Sequence, residues 1–242
     1  MPRPKSQRER SIQKMFDRIA RRYDLLNRVI SLHLDTVWRR KLTRALGLPQ
    51  RDLLVLDLGT GTGDLALSAA QEIGEKGEIV GLDFSLEMLR LAQAKKGRSS
   101  CGEKTIYIQG TALAAPFRKE SFDAAMSAFV LRNVGDLDLF FLEAYRLLKP
   151  GGKLASLDIF PPQRGPFSLL YSLYFYRLVP WIGARLAHDR TAYQYLSDSV
   201  RGFHAPETIA QIIQGAGFEK VRTEKFLLGA VCLHLGEKPI QR

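Results

Sequence analysis

The stretch of this 242-residue chain best suited to chemistry is Val-Leu-Asp-Leu-Gly-Thr-Gly-Thr-Gly-Asp at 55–64. An apolar run leads straight into a turn with glycine at Gly59, Gly61 and Gly63. Glycine allows a tight turn and removes the Cβ that would hold a ligand off the backbone. The spacing is Gly-x-Gly-x-Gly, whereas the dinucleotide fingerprint would need glycine at 64, where the chain has Asp64. Asp57 and Asp64 bracket the loop, which disfavours a pyrophosphate and suits a cationic ligand without phosphate. Asp83 closes the next apolar run, 24 positions after Gly59. An acid there in doubly wound nucleotide folds accepts from both ribose hydroxyls.

Together these features point to S-adenosylmethionine (SAM), which carries an ammonium, a sulfonium and a ribose. Residues 111–115, at the end of a third strand, stand where an adenine ring would sit. Arg132 follows a fourth strand at its carboxyl edge, which puts a cation facing the cofactor. Arginine is a poor proton acceptor, so its role is to stabilise charge or orient a water. The competing reading is a surface arginine paired with Asp136. Asn133 bonds a substrate oxygen or caps the following helix. His188, Asp189, Tyr193 and Tyr195 lie on an aromatic-rich stretch, where a His or Tyr would relay a proton; otherwise the tyrosines are packing residues and His188 is exposed.

The elements that must position these residues alternate. Apolar runs at 53–58, 78–84, 105–110, 121–129 and 153–160 read as strands. Helical patterns fall at 64–73, at 85–96 with Ser85 as N-cap, and at 136–148, where Lys149-Pro150-Gly151-Gly152 is read as the stop. Two later runs, 221–227 and 230–238, read as a closing antiparallel hairpin. The expected fold is α/β, a Rossmann-like doubly wound, mostly parallel seven-stranded sheet with an antiparallel carboxyl-terminal hairpin. Residues 1–50 form a basic helical cap, with an amphipathic helix at 12–23 and another at about 35–46. Residues 51–242 form the methyltransferase domain, with a helical insertion covering the substrate at about 165–200.

The net charge is +11, and residues 1–50 hold 13 Lys and Arg against 4 Asp and Glu. Such asymmetry fits an anionic partner, whether membrane surface, nucleic acid or acidic protein, and equally a merely solvated surface. Helix 12–23 is read either as touching headgroups or as a lid over the cofactor. Nucleic acid is disfavoured, because the charge lies on an amphipathic helix and not among aromatics on a strand platform. Cys101 and Cys232 have no partner motif, which predicts a reducing compartment and no zinc site. No secretory signal or spanning run is expected. The predicted location is the cytoplasm, with association at the inner membrane face, and the carboxyl-terminal hairpin offers a route to a homodimer.

The glycine loop, Asp83, LKPGG at 148–152 and the closing hairpin resemble class I SAM methyltransferases. FDRIARRYDLLNRVIS at 16–31, VLRNV at 130–134 and LVPWIGARLAHDRTAYQYLSDSV at 178–200 narrow the likeness. With these, the chain resembles the quinone-biosynthesis C-methyltransferases, the UbiE and MenG group, over about residues 12–238. The resemblance implies methylation of a ring carbon on a polyprenylated hydroquinone. It points to demethylmenaquinol as acceptor, with ubiquinone-pathway benzoquinol methylation as the alternative. By matching position Thr62, Asp83, Thr111 and Ala112 line the SAM site. With Asp57, Gly59, Gly61, Gly63 and Ala128 they make the expected cofactor set. Arg132, Asn133, Asp189 and Tyr193 make the expected catalytic set, and no metal is expected. Thr111, Ala128, Val130 and Phe203-His204 depart from the group's usual residues. Competing readings are a small-molecule, sterol or RNA methyltransferase on the same scaffold, or a SAM-binding protein without turnover.

Overall fold

The computed structural model describes residues 7–48, 51–161, 171, 173, 174, 177 and 190–240. Seven strands form one sheet: β1 (Leu54–Leu58), β2 (Glu78–Asp83), β3 (Thr105–Gln109), β4 (Phe122–Ala128), β5 (Leu148–Ile159), β6 (Glu219–Phe226) and β7 (Val231–Glu237). Their order is β3-β2-β1-β4-β5-β7-β6. β1 to β5 pair in parallel, while β7 pairs antiparallel with both β5 and β6. The order reverses direction between β1 and β4, which opens a crevice at their carboxyl ends. The expected sheet and closing hairpin are both present.

Helices cover both faces, so the central strands are apolar on both sides. One face packs Leu56, Leu58 and Leu82 against α5 (Leu137–Leu147), through Phe140 and Phe141, and against α7 (Pro206–Gly215), through Ile209 and Ile213. The other packs Val55, Ile79 and Met126 against Trp38 and Leu42 of α2 (Leu34–Ala45) and Ala66 and Ala70 of α3 (Asp64–Glu72). α4 (Leu86–Lys96) starts at Ser85, whose Oγ accepts from Met88 N. α6 spans Arg190–Arg201. No described helix is long and apolar enough to cross a membrane.

Two boundaries differ from expectation. The first helix, α1, runs Gln7–Ser31, well past residue 23. Its inward stripe continues through Tyr23, Asn27 and Ile30, and it ends where Leu32 and His33 adopt positive φ. Lys149-Pro150-Gly151-Gly152 does not precede β5 but lies within it. Gly151 N donates to Lys238 O and Lys238 N to Gly152 O, so this segment finds ladder partners beyond β7. The insertion at 165–200 falls largely outside the described residues, apart from the few positions above and α6.

Candidate active site

β1 delivers its chain into the glycine turn at the sheet's crevice. Gly59 and Thr60 N–H both donate to Leu82 O, tying the turn to the end of β2. Gly59, Gly61 and Gly63 all have positive φ. A Cβ on Gly59 would lie 2.6 Å from Val130 Cγ2, whereas one on Gly61 would meet nothing within 4 Å. The first glycine is needed for close packing between the two loops, and the second leaves open room above the turn.

Asp83 organises that room. Its Oδ2 accepts from Gly61 N and its Oδ1 from Ser85 N, each at 2.8 Å. Burial pushes its carboxyl up to about 6, against the opposing pull of those backbone donors. Two adjoining cavities share Asp83, Gly59, Phe84, Val130 and Asn133. One extends along Gly110, Thr111, Ala112 and Leu113. The other extends along Gly61, Met88, Ala128 and Phe129, beneath Phe16 and Tyr23 of α1. A carboxylate at a strand end, an open glycine backbone and a long apolar slot suit a ribose with a base on one side and an amino-acid chain on the other. The residues present fit SAM.

Helix α1 closes this slot. Ile12, Phe16 and Tyr23 face it, and Gln13 Nε2 donates to Phe84 O at 3.0 Å. The apolar face of α1 therefore covers the slot, while Lys14, Arg18, Arg21 and Arg22 are exposed on its outer side.

Three expected cofactor residues act around the slot without lining it. Asp57 is buried under the turn, accepts from Thr60 Oγ1 at 2.7 Å, and has its carboxyl pushed up to about 7 by burial. Gly63 packs on Tyr107, leaving no space for a Cβ. Thr62 Oγ1 donates to Asp24 Oδ1 on α1 and accepts from Lys95 Nζ. Lys95 also pairs with Asp24 and Asp64, each at 2.5 Å. Asp64 thus shares one lysine with Asp24, so this three-residue cluster beside the turn holds two acids against one cation.

A separate cavity of about 350 Å³ lies on the other side of Phe129, which lines both spaces. Its walls are mostly apolar: Ile30, Leu34, Trp38, Ile159, Tyr171 and Val231 are among them. Arg132 reaches this wall from the turn after β4. It is buried, and its Nη1 donates to Asp158 Oδ1 at 2.7 Å. Burial works against its charge, but the Asp158 carboxylate prevails and holds its pKa above the ordinary value. The surface pairing with Asp136 is not formed, because Asp136 caps α5 by accepting from Leu139 N. Nor does Asn133 cap that helix. Its Oδ1 accepts from Tyr195 Oη at 3.2 Å and its amide donates to Phe129 O, so it sits at the slot's edge.

Several polar groups beside this cavity escaped the sequence reading. Asp158 carried no signal, since it is one acid within an apolar strand. Asp35 is buried in the wall, accepting from Ser31 Oγ and pairing with Arg39 at 3.7 Å. Arg39 in turn lies over the Phe129 ring at 5.2 Å. Tyr23 is raised above its ordinary pKa by burial, against the opposing charges of Arg132 and Arg39. An acid–Arg spacing of four on a helix, as at Asp35 and Arg39, is a signal that sequence offers, but it does not reveal which face is buried. His188 and Asp189 lie outside the described residues, as does the side chain of Tyr193.

A profile of the ubiE/COQ5 methyltransferase family matches residues 4–238. The chain is 41% identical over 225 residues to a demethylmenaquinone methyltransferase of Thermus thermophilus, spanning 93% of this chain and 100% of the relative. It is 39% identical over 227 residues to the ubiquinone/menaquinone biosynthesis C-methyltransferase UbiE of Desulfotalea psychrophila, spanning 94% and 90%. A solved SAM-dependent methyltransferase of Thermotoga maritima shares the fold, with a TM-score of 0.65 and 21% identity over 93% of this chain and 98% of that one.

Proposed function

Because the chain belongs to the ubiE/COQ5 methyltransferase family, we propose that it methylates a ring carbon of a polyprenylated hydroquinone, demethylmenaquinol first, with SAM as donor. The observation that carries this reading is the meeting of two spaces at Phe129: a slot suited to SAM and a largely apolar cavity with the buried cation Arg132 in its wall. An apolar ring with a lipid tail matches such a cavity, and its hydroxyl needs one polar partner.

Asp83, Gly59, Gly61, Thr111, Ala112 and Ala128 are the residues that would hold SAM, which supplies an electrophilic methyl group when bound. Arg132 favours the ionised form of the acceptor hydroxyl, whose proton passes to water, and so raises electron density on the neighbouring ring carbon. Since Asp158 keeps Arg132 charged, the proton later released by that carbon also passes to water and not to the guanidine. Asn133, whose Oδ1 accepts from Tyr195 Oη, bonds a substrate oxygen in this reading. Phe129 and Trp38 shield the reacting carbon from solvent. The buried thiols Cys101 and Cys232 fit a reducing cytoplasm, and a lipid acceptor would be met at the inner membrane face.

Transfer of label from SAM to reduced demethylmenaquinone, run beside a reduced benzoquinone precursor and bulk RNA, tests this. Label in the naphthoquinol is expected. Label only in the benzoquinol would move the substrate to the ubiquinone pathway, and label in RNA would overturn the proposal.

A further inference from the structure

The mouth of the apolar cavity is built from two tips. One is the α1–α2 turn, where Leu32 is 71% exposed. The other is the turn after β6, where Leu227 and Leu228 are 48% and 75% exposed. Leu32 and Leu227 line the cavity itself, so both tips stand at one opening. The backbone holds them there at a cost. Leu32, His33, Leu227 and Leu228 all have positive φ, a region that non-glycine residues enter only against steric resistance. A turn built from Asn or Gly would relieve that strain, but it would not present leucine to solvent.

The surroundings are basic. On α2, Arg40, Lys41 and Arg44 are exposed beside the half-exposed Val37, while the helix's one acid, Asp35, is buried. Lys41 Nζ lies 4.7 Å from the centre of the Phe226 ring, joining the outer side of α2 to the second tip. Arg28 is exposed one turn before Leu32. By contrast, the apolar face of α1 is turned inward over the cofactor slot and is not available to a bilayer.

From these observations we propose that the rim made by Leu32, Val37, Leu227 and Leu228, with its collar of Arg28, Arg40, Lys41 and Arg44, docks on an anionic lipid bilayer. The leucines enter the headgroup boundary and the cations stay among the phosphates. The inference rests on the lipid-hydroquinone reading: a cavity of this size takes the ring and the start of the tail, and the remaining tail leaves through the mouth. Lipid beyond the mouth keeps that tail out of water.

The test uses the full chain, vesicles of phosphatidylcholine with or without phosphatidylglycerol, and the variant Val37→Glu/Leu228→Asp. Neither position lines the cavity, and Asp is at home in the left-handed backbone of residue 228. Wild type is expected to co-sediment with the anionic vesicles and the variant to bind roughly tenfold or more weakly, with SAM affinity and melting temperature unchanged. A Lys14→Glu/Arg21→Glu variant of α1 is expected to retain most of its binding. Leu228→Asn alone gives the same direction with a smaller effect. Equal binding by wild type and the rim variant, a larger loss in the α1 variant, or no binding by wild type would each overturn the proposal. Turnover of a short-tailed hydroquinone in solution is read separately. Its absence in wild type counts against the substrate reading, whereas normal turnover alongside unchanged vesicle binding by the rim variant counts against the docking surface alone.

Discussion

Arg132 and Asp158 form a buried ion pair, with Nη1 2.7 Å from Oδ1 and side-chain exposures of 5% and 0%. The pair joins the turn after β4 to the end of β5 and sets a guanidinium in the wall of the apolar cavity. Breaking one half of such a pair leaves the other charge buried and uncompensated, whereas replacing both halves with apolar groups need not destabilise.

Arg132→Ala is therefore expected to destabilise the protein by about 3–5 kcal/mol and to abolish turnover while SAM still binds. Arg132→Met/Asp158→Leu should recover most of the stability and none of the activity. Urea unfolding and single-turnover methyl transfer report the two effects separately. Recovery of turnover in the double variant would remove Arg132 from the mechanism.

The pH dependence of stability and of cofactor binding should run in opposite directions. Asp83 and Asp57 are raised by burial to about 6 and about 7 from the ordinary 3.8. Between these values the folded state keeps protons that the unfolded state has released. The stability contributed is full below about pH 4 and is lost as pH rises through 6 to 7. The slope approaches about 1.4 kcal/mol per pH unit for each group. SAM binding through the Asp83 carboxylate, as proposed above, should instead weaken as pH falls below about 6. Asp83→Asn is expected to remove the Asp83 share of the stability profile while leaving that of Asp57, to flatten the binding profile, and to cost most of the SAM affinity. Calorimetry from pH 5 to 8 with an unchanged stability profile in that variant would contradict the assignment.

Two glycines in one loop should fail differently. Gly59→Ala places a Cβ against Val130 in addition to straining the backbone, so both stability and SAM affinity are expected to fall. Gly61→Ala carries the backbone strain alone, about 1–2 kcal/mol, and its Cβ projects into the open slot. It should fold with a modest drop in melting temperature and still bind SAM more weakly. The ratio of affinity loss to stability loss separates them.

Lys95 fastens the lid. It bridges Asp24 on α1 to Asp64 and Thr62 at the glycine turn. Lys95→Met leaves two partly buried acids facing each other and should loosen α1. SAM release is expected to quicken roughly threefold to tenfold, with faster proteolysis within residues 7–31. Unchanged release rates would mean that Phe16 and Tyr23 packing alone closes the slot.

Much of the cofactor half was legible in the chain itself. Gly59, Gly61, Asp83, Thr111, Ala112 and Ala128 lie within or just after strands in parallel register, so strand ends converge on one crevice wherever the loops are short. Helix α1 was legible as amphipathic, but its amphipathicity is equally compatible with lipid and with a lid. Only packing on Phe84 and the glycine turn resolves which the apolar face touches. The polar groups around the apolar cavity were less legible. Asp158, Asp35 and Arg39 come from two separate elements, and a buried charge in a strand or helix looks like a surface charge until its neighbours are known. What the sequence by itself determined is the alternation of elements, the cofactor loop and the family. The tertiary structure decided the partners: Asp158 in place of Asp136 for Arg132, Lys95 for Asp64, and a rim of leucines at a cavity mouth. Local pattern reports periodicity along one segment, whereas charge pairing and exposure depend on segments distant in the chain.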